Sequence, residues 1–573
     1  MSGAATVDAR IEQTTGRHLR ATASGTRSPA LLGLLIALAC SGTLLLILQS
    51  HLTFFADDWR FLLERRGSSP DAYLDPHNDH IAVLPVAIYK AILEVFGMSS
   101  ALPFAVFATA VFLLSAAALF LYLRGRVGDW LALIGATLIL FLGAAWVDLL
   151  WSFQIGLSGS LATGIFALLA LQRDGPPGDR IACVLLTVST ASSELGVSFA
   201  VAALVNVGLG PAPRRRRLYV AAVPLVLYVV WFLGWGHKGP EAFTWHNVLV
   251  SPKYVFEAIS QAIASVLGLA TPLTGSGAQP VGLIWGEILL VVLLAVSVWR
   301  VRRLGGISRG LATSLALGGS FWLFAAFNAY PEVRLPTNGR LQYPGAVFVL
   351  LIAAELARGY RPDRRVLAVG AVIAVAAVVS GVLFLDKGYR MRKTASQIER
   401  VRLTALEIAR PRLSPDTTVN LDLITQVKAG DYFSAVDEFG SPALSDSELA
   451  SSDEMQRQAA DGALASFLDI RLAEVQAGSP APGRGAACLV ARGSPTARVS
   501  APLRPGAYTL ATRGLPAEVH LTRFAVQPSV ALGTLGPGQV AAFDLPRDES
   551  PRPWRLAVVG AGPVTVCRDR TPG

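Results

Sequence analysis

Long uncharged runs alternate with short arginine-rich ones along this chain, and the alternation predicts a row of helices that enter and leave a bilayer. The first run, ALLGLLIALACSGTLLLILQS, begins at Ala30 and is long enough to span about 30 Å of hydrocarbon. A polar stretch with Arg10, Arg17, Arg20 and Arg27 precedes it, which sets residues 1–29 on the inside. No small-residue cleavage pattern follows before Phe54, so the run reads as a retained anchor. Further spans are predicted near residues 103–123, 131–147, 156–171, 218–235, 283–299, 310–329, 343–357 and 366–385. Residues 181–209 lie between Arg180 and the run Arg214 to Arg217, both of which belong inside. That segment must therefore cross twice, as two short helices meeting at Ser192, Ser193 and Glu194. Two apolar stretches carry charge and are expected to lie on the membrane surface. Ile81 to Phe96 contains Pro85 and an i,i+4 pair, Lys90 and Glu94; Tyr254 to Leu269 holds Glu257 and Gln261. The expectation is about eleven crossings, an odd number, which sends the chain from Asp386 onward outside.

Composition agrees with the pattern. Of 573 residues, 52% are hydrophobic and 16% charged, too apolar for an ordinary soluble protein. The net charge of +10 sits in short loops between apolar runs and forms no binding face, which excludes nucleic acid as a partner. Arginine outnumbers lysine amid much Ala, Gly and Pro, which points to a GC-rich bacterial genome. The tail divides into a helical connector, 386–485, and a Gly- and Pro-rich module, 486–573, with alternating runs such as YTLAT, EVHLTRFAV and WRLAVVG that predict β-strands. Cys40 and Cys183 fall in apolar helices, whereas Cys488 and Cys567 fall in the tail, where an oxidising compartment would let them pair. There is no CxxC, and GSGAQP at 275 lacks the lysine and the preceding strand of a phosphate-binding loop. The fold class expected is thus an α-helical polytopic membrane protein with a C-terminal extracytoplasmic mixed α/β domain that ends in a β-rich module.

Candidate chemistry concentrates in the loop 51–102, above all in FFADDWRFLLERRGSSPDAYLDPHNDH from Phe54 to His80. Charges placed just outside a spanning helix must be solvated, paired or functional. Asp57 and Asp58 are adjacent, so on a helix they point about 100° apart and cannot do the same job. The plainer reading is that one of them caps the helix WRFLLERR, and both readings can hold together. His77, Asn78, Asp79 and His80 form a dense polar cluster stiffened by Pro76. On a helix His77 and His80 would share a face and, with a third ligand such as Asp57 or Asp75, could hold a divalent cation. Contact with sugar or phosphate, or an ordinary polar loop, are the other readings.

Taken together, the Asp-Asp pair after the first helix, the surface helices, the two short helices meeting at STASSELG and the outer GRLQY before a late helix resemble the GT-C superfamily of membrane glycosyltransferases. The similarity covers residues 30–390 and extends to protein O-mannosyltransferases, aminoarabinose transferases and mycobacterial arabinosyl- and mannosyltransferases. The resemblance implies an enzyme of the plasma membrane that moves a sugar from a polyprenyl-phosphate donor to an acceptor hydroxyl, with inversion, on the outer face. The acceptor would be a glycan, a lipid or a protein in the cell envelope. Asp57 matches the position of the family base, with Asp58 as its partner. Arg340 and Tyr343 match the position that holds the carrier phosphate, although anchoring at the interface explains them equally well. Arg60 is a second phosphate candidate. Asp148, Trp151 and Gln154 on the next outer turn are candidates for the sugar pocket, with Trp151 as a stacking platform. Glu194 stands where relatives often have a lysine, as a second carboxylate or as a helix cap. The HNDH element departs from the better-known members, which leaves acceptor and metal open. Two other functions compete with the enzyme: a flippase for a lipid-linked sugar, and a non-catalytic envelope scaffold whose tail binds glycan.

Overall fold

The computed structural model describes residues 29–211, 214–238, 243–270, 283–329, 334–421, 425–474, 487–491, 499–512, 514–560 and 562–568. Two compact units emerge from it. The first comprises residues up to His51, Arg65–Ile92 and Leu102–Arg392; the second comprises Leu52–Glu64, Leu93–Ala101 and Lys393–Gly573. The boundary differs from the sequence reading, which kept all of 51–102 with the membrane helices. Residues 52–64 and 93–101, Asp57 and Asp58 among them, pack with the tail. The expectations for residues 1–28 and for GSGAQP fall outside the described residues.

The first unit is helical. Seven described stretches are long and apolar enough to cross a membrane: Pro29–Gln49, Leu102–Val127, Asp129–Leu149, Ser152–Leu171, Ile284–Arg303, Arg309–Phe327 and Arg364–Ile408. Leu195–Leu209 and Tyr219–Gly234 are apolar but shorter, and Pro176–Ser192 and Gly339–Leu356 are shorter or more polar. Many outward side chains are apolar, with Leu233 at 70% and Val372 at 69% exposed, a surface that water would not tolerate over so large an area. The break at Ser193 and Glu194 separates two helices, Pro176–Ser192 and Leu195–Leu209, as the flanking arginines require. Gly196 lets them meet closely, since a Cβ there would lie 2.3 Å from the Thr190 nitrogen. Buried ion pairs tie helix ends together: Arg217 holds Asp179 at 2.8 Å and Asp174 at 2.9 Å, and Arg126 holds Glu355 at 2.8 Å.

The helix Arg364–Ile408 runs unbroken for 45 residues, where the sequence suggested a span ending at 385 and a connector beyond it. Gly388, inside it, serves packing, because a Cβ there would lie 2.3 Å from Cγ of Trp146.

The second unit opens with a small hairpin of β1 (Thr418–Asn420) and β2 (Gln426–Lys428), followed by helices Ala429–Phe439, Asp446–Ser451 and Glu454–Phe467. Nine strands follow: β3 (Ala473–Glu474), β4 (Ala487–Ala491), β5 (Val499–Leu503), β6 (Gly506–Thr512), β7 (Ala517–Thr522), β8 (Val530–Leu535), β9 (Val540–Leu545), β10 (Trp554–Gly560) and β11 (Val564–Arg568). They form two antiparallel sheets, ordered β5-β10-β7-β8 and β3-β9-β6-β11-β4. Alternate residues of both, including Leu510, Val519, Leu556 and Val566, enter one shared core. Cys488 on β4 is disulfide-bonded to Cys567, its direct cross-strand partner on β11. The buried carboxylate of Asp461 takes the backbone N–H of Arg523 (2.9 Å), Phe524 (2.9 Å) and Ala525 (3.1 Å), which fixes that loop on the helix Glu454–Phe467.

Candidate functional site

In the first unit the HNDH segment is a tight turn and not a helix. His77 N–H donates to the His80 carbonyl at 2.9 Å and His80 N–H to the His77 carbonyl at 3.0 Å, so the two histidines face each other across Asn78 and Asp79. Asn78 takes φ of 57°, a left-handed conformation that asparagine tolerates better than most residues. Surrounding groups fasten the approach to the turn. Arg65 donates to the carbonyls of Pro76 (2.7 Å) and Asp71 (3.3 Å), and Trp231 donates from Nε1 to the Leu74 carbonyl at 2.7 Å.

The turn projects Asp79 and His80 into a chain of four paired side chains drawn from three distant parts of the sequence. Arg334 grips Asp79 with two hydrogen bonds, Nη1 to Oδ2 at 2.7 Å and Nη2 to Oδ1 at 2.6 Å, the strong forked geometry of guanidinium and carboxylate. His80 lies 3.1 Å from Asp79 Oδ1 through Nε2 and 2.7 Å from Glu194 Oε2 through Nδ1. An imidazole donates from both nitrogens only when protonated. Burial acts to lower the pKa of His80, but the charge and hydrogen bond of Glu194, with Asp79 behind them, outweigh it and hold the value above the ordinary one. For Asp79 burial acts upward, and the Arg334 hydrogen bonds with the His80 charge win, so its carboxyl stays below the usual range. Asp79 in turn raises Arg334 further. Glu194 occupies the N-cap position of Leu195–Leu209 yet makes no capping bond; its carboxylate goes to His80, and 45% of the side chain stays exposed.

Arg334 is itself held in place. The Tyr254 hydroxyl donates to its carbonyl at 3.1 Å, and Asn247 donates to the carbonyls of Phe327 and Ala329 just upstream, each at 2.9 Å. The Tyr228 hydroxyl interacts electrostatically with Glu194 and Asp79, and its ring packs 5.6 Å from that of Trp231. Compared with protein-family models, curated proteins and solved structures, the chain matches none. The arrangement must therefore speak through its own chemistry. It combines two carboxylates, two cations and a tyrosine at the end of apolar helices, a set suited to hydroxyl-rich ligands.

The remaining nominated residues separate into two groups. In the first unit, Arg340 lies over the Trp151 ring at 4.5 Å, and its charge acts on the buried Asp148. Trp151 is 4% exposed and its other neighbour is the Phe153 ring at 5.2 Å, so no open stacking face remains. Tyr343 is fully buried and hydrogen-bonds Ser115, which removes its hydroxyl from any phosphate. His77 is buried with its ring 5.0 Å from Phe153. Among the described residues no three His, Cys, Asp or Glu side chains converge as metal ligands, so His77 and His80 form no cation site with a third residue.

In the second unit, Asp57 and Asp58 begin the helix Asp57–Leu63. Asp58 is buried, and its Oδ2 accepts the Phe55 N–H at 2.9 Å, which ties the preceding turn to the helix; the N-cap position is Ala56, with no side-chain capping bond. Asp57 is half-buried, as is Arg60 on the same helix. Behind them Trp59 is fully enclosed, with Nε1 donating to Glu399 and its ring 5.3 Å from Phe54 and 6.0 Å from Tyr432.

Arg334, Tyr228 and Tyr254 were missed by sequence reasoning. A signal existed for the first: Arg334 precedes Arg340 by one short loop, PTNGR, and only the second arginine matched the family position.

Proposed function

We propose that this chain is an inverting glycosyltransferase of the plasma membrane. It takes a sugar from a polyprenyl phosphate and passes it to a hydroxyl of an envelope glycan, lipid or protein on the outer face. In this reading the helices make about eleven crossings, with the N-terminal side inside and the second unit outside. The observation that carries the reading is the paired quartet Asp79, His80, Glu194 and Arg334 at one end of a lipid-facing helical unit, with a half-exposed carboxylate. Ion pairs of this kind are costly to place among apolar helices and mark functional sites there.

The chemistry follows from the donor. A lipid phosphate departs without strong acid help, so the protein must supply a base and cations. Asp57, the base by resemblance, takes the proton of the acceptor hydroxyl as its oxygen attacks the anomeric carbon. The bond from that carbon to the phosphate oxygen breaks, and its electron pair leaves on the phosphate. A glycan-binding scaffold is less well supported, because the sandwich aromatics Tyr508, Phe524, Phe543 and Trp554 are all buried and offer sugars no platform.

Purified protein in lipid, given labelled sugars on a panel of polyprenyl phosphates, is the test. Wild type should transfer label, and Asp57→Asn should be slower by about 10²- to 10⁴-fold with its thermal midpoint unchanged. Undiminished transfer by that variant removes Asp57 as the base. Movement of donor between leaflets without transfer replaces the enzyme with a flippase.

A further inference from the structure

Arginines that the sequence scatters over separate loops are gathered by the fold at one end of the first unit. Two helices set out from that end, Pro176–Ser192 and Tyr219–Gly234, and two contacts hold their beginnings side by side. Arg217 forks onto the buried Asp179, from Nε at 2.9 Å and from Nη2 at 2.8 Å. Cys183 Sγ lies 3.8 Å from the Tyr219 carbonyl oxygen. These contacts decide where the adjoining residues go. Arg180 directly follows Asp179, and Arg214, Arg215 and Arg216 directly precede Arg217, so four further cations flank one buried ion pair.

The acids of this region are already engaged. Asp179 serves Arg217, and Asp174 serves both Arg217 at 2.9 Å and Arg309 at 3.0 Å. Arg180, Arg215 and Arg216 are exposed, while Arg214 is half-buried with Nε on the Gly210 carbonyl at 3.0 Å. None of these four has an ion pair among the described residues. Arg217 alone supplies the tie between the helices, so the others are not needed for it. Like charges set so close repel one another, and their summed field favours an anion.

Apolar surface begins where the cations end. Ile181 follows Arg180, and Leu218 follows Arg217. Ile181 and Val184 on the first helix, Leu218 beside the second, and Val223 and Val226 on it are all exposed. Guanidinium groups fork with phosphate oxygens, and acyl chains lie against branched apolar side chains. A soluble anion would use the arginines and leave the apolar faces bare, and a zwitterionic lipid would bring the arginines no net charge.

We propose that this end of the two helices binds an anionic phospholipid, with its headgroup phosphate on Arg180 and Arg214 to Arg216 and its chains along Ile181, Val184 and Val223. The site is separate from the Asp79, His80, Glu194 and Arg334 quartet. The length of helix Pro176–Ser192 lies between them, with the arginines at its start and Glu194 just past its end. The proposal does not depend on the glycosyltransferase reading.

The test asks which lipid the protein keeps longest. Full-length protein is taken from nanodiscs of equal parts phosphatidylglycerol and phosphatidylcholine, stripped stepwise with detergent, and weighed by native mass spectrometry. The last lipid retained by wild type should be phosphatidylglycerol over phosphatidylcholine by about tenfold. That preference should fall close to one when Arg214, Arg215 and Arg216 are all replaced by glutamine. Arg180→Gln, which leaves the run beside Arg217 intact and serves if the triple variant folds poorly, should lower it by about fivefold. The exposed arginines Arg361, Arg364 and Arg365 begin another helix and provide the control, since their replacement by glutamine should preserve the preference. Equal loss in the control would overturn the site in favour of unspecific charge. Displacement of the retained lipid by soluble glycerophosphoglycerol as readily as by phosphatidylglycerol would overturn it in favour of a phosphate site. No preference in wild type, or an undiminished one in both the triple variant and Arg180→Gln, would also overturn it. Label transfer enters none of these outcomes, so the enzyme reading stands or falls separately.

Discussion

Two acidic turns in this protein look alike in sequence and differ in what they do with their carboxylates. At Phe55 to Asp58 two bonds close the turn on itself: Asp58 N–H donates to the Phe55 carbonyl at 3.0 Å, and the Asp58 carboxylate accepts the Phe55 N–H at 2.9 Å. At His77 to His80 the backbone closes in the same way, but the side chains reach Glu194 and Arg334, 114 and 255 positions away. Both turns place a residue other than glycine at positive φ, Ala56 at 48° and Asn78 at 57°. Asparagine suits that region and alanine does not, so only the first turn stores strain. The lesson is that a run of acids becomes a local tie or a long-range ion-paired cluster according to what the rest of the chain brings to it.

The sharpest way to break this contrast is to remove one partner from each turn. Arg334→Ala leaves Asp79 half-buried without its forked partner and should cost about 3 kcal/mol, whereas Asp58→Asn, which weakens the bond to the Phe55 N–H, should cost about 1 kcal/mol. Denaturation of the two variants side by side measures the gap, and equal losses would mean that the quartet holds no more than a local hydrogen bond does.

Titration sharpens the contrast further, because Asp79 and His80 of the second turn carry shifted groups. The His80 contribution, with its folded pKa raised, is full below the ordinary value of 6.5 and is lost as pH rises through the raised one. The Asp79 contribution, with its pKa lowered, is present above the ordinary 3.8 and is lost as pH falls through the lowered one. The thermal midpoint of wild type should therefore decline on the alkaline side of the histidine range, and His80→Asn should flatten that decline. A parallel decline in both would assign it to other groups.

The smallest effect concerns strain. Ala56→Gly should stabilise by up to about 1 kcal/mol, since relief of the backbone exceeds the added chain entropy, while Asn78→Ala should destabilise by about the same amount. Chemical unfolding resolves both, and a destabilised Ala56→Gly would show that Ala56 is not strained.

The helices were legible because charge at their ends and apolar length between are local properties. The break at Glu194 and the strands of the sandwich follow from them. The continuity of Arg364–Ile408 was hidden, since the apolar run ends before Asp386 and the helix goes on through a polar stretch. The site was legible only in part. Asp79, His80 and Glu194 stood out as charges near helix ends, but Arg334 acquires its meaning from a pairing across 255 positions that no pattern encodes. Trp151, expected as a stacking platform, and Tyr343, expected at the phosphate or the interface, are both buried; aromatic side chains near a helix end look the same in sequence whether they face lipid, ligand or core.

The partners of Trp59 have a consequence for how the molecule comes to exist. Its indole is enclosed by groups that include Glu399, 340 positions later, and Tyr432 beyond it. At a synthesis rate of 5–20 residues per second, roughly 20 to 70 s pass between making that tryptophan and making the glutamate that receives it. For that interval the segment bearing Asp57 has no finished pocket to enter. The segment with Asp57 is thus set only after the start of the tail has been made, and a chain that stops short of residue 399 would be born with that segment unmoored.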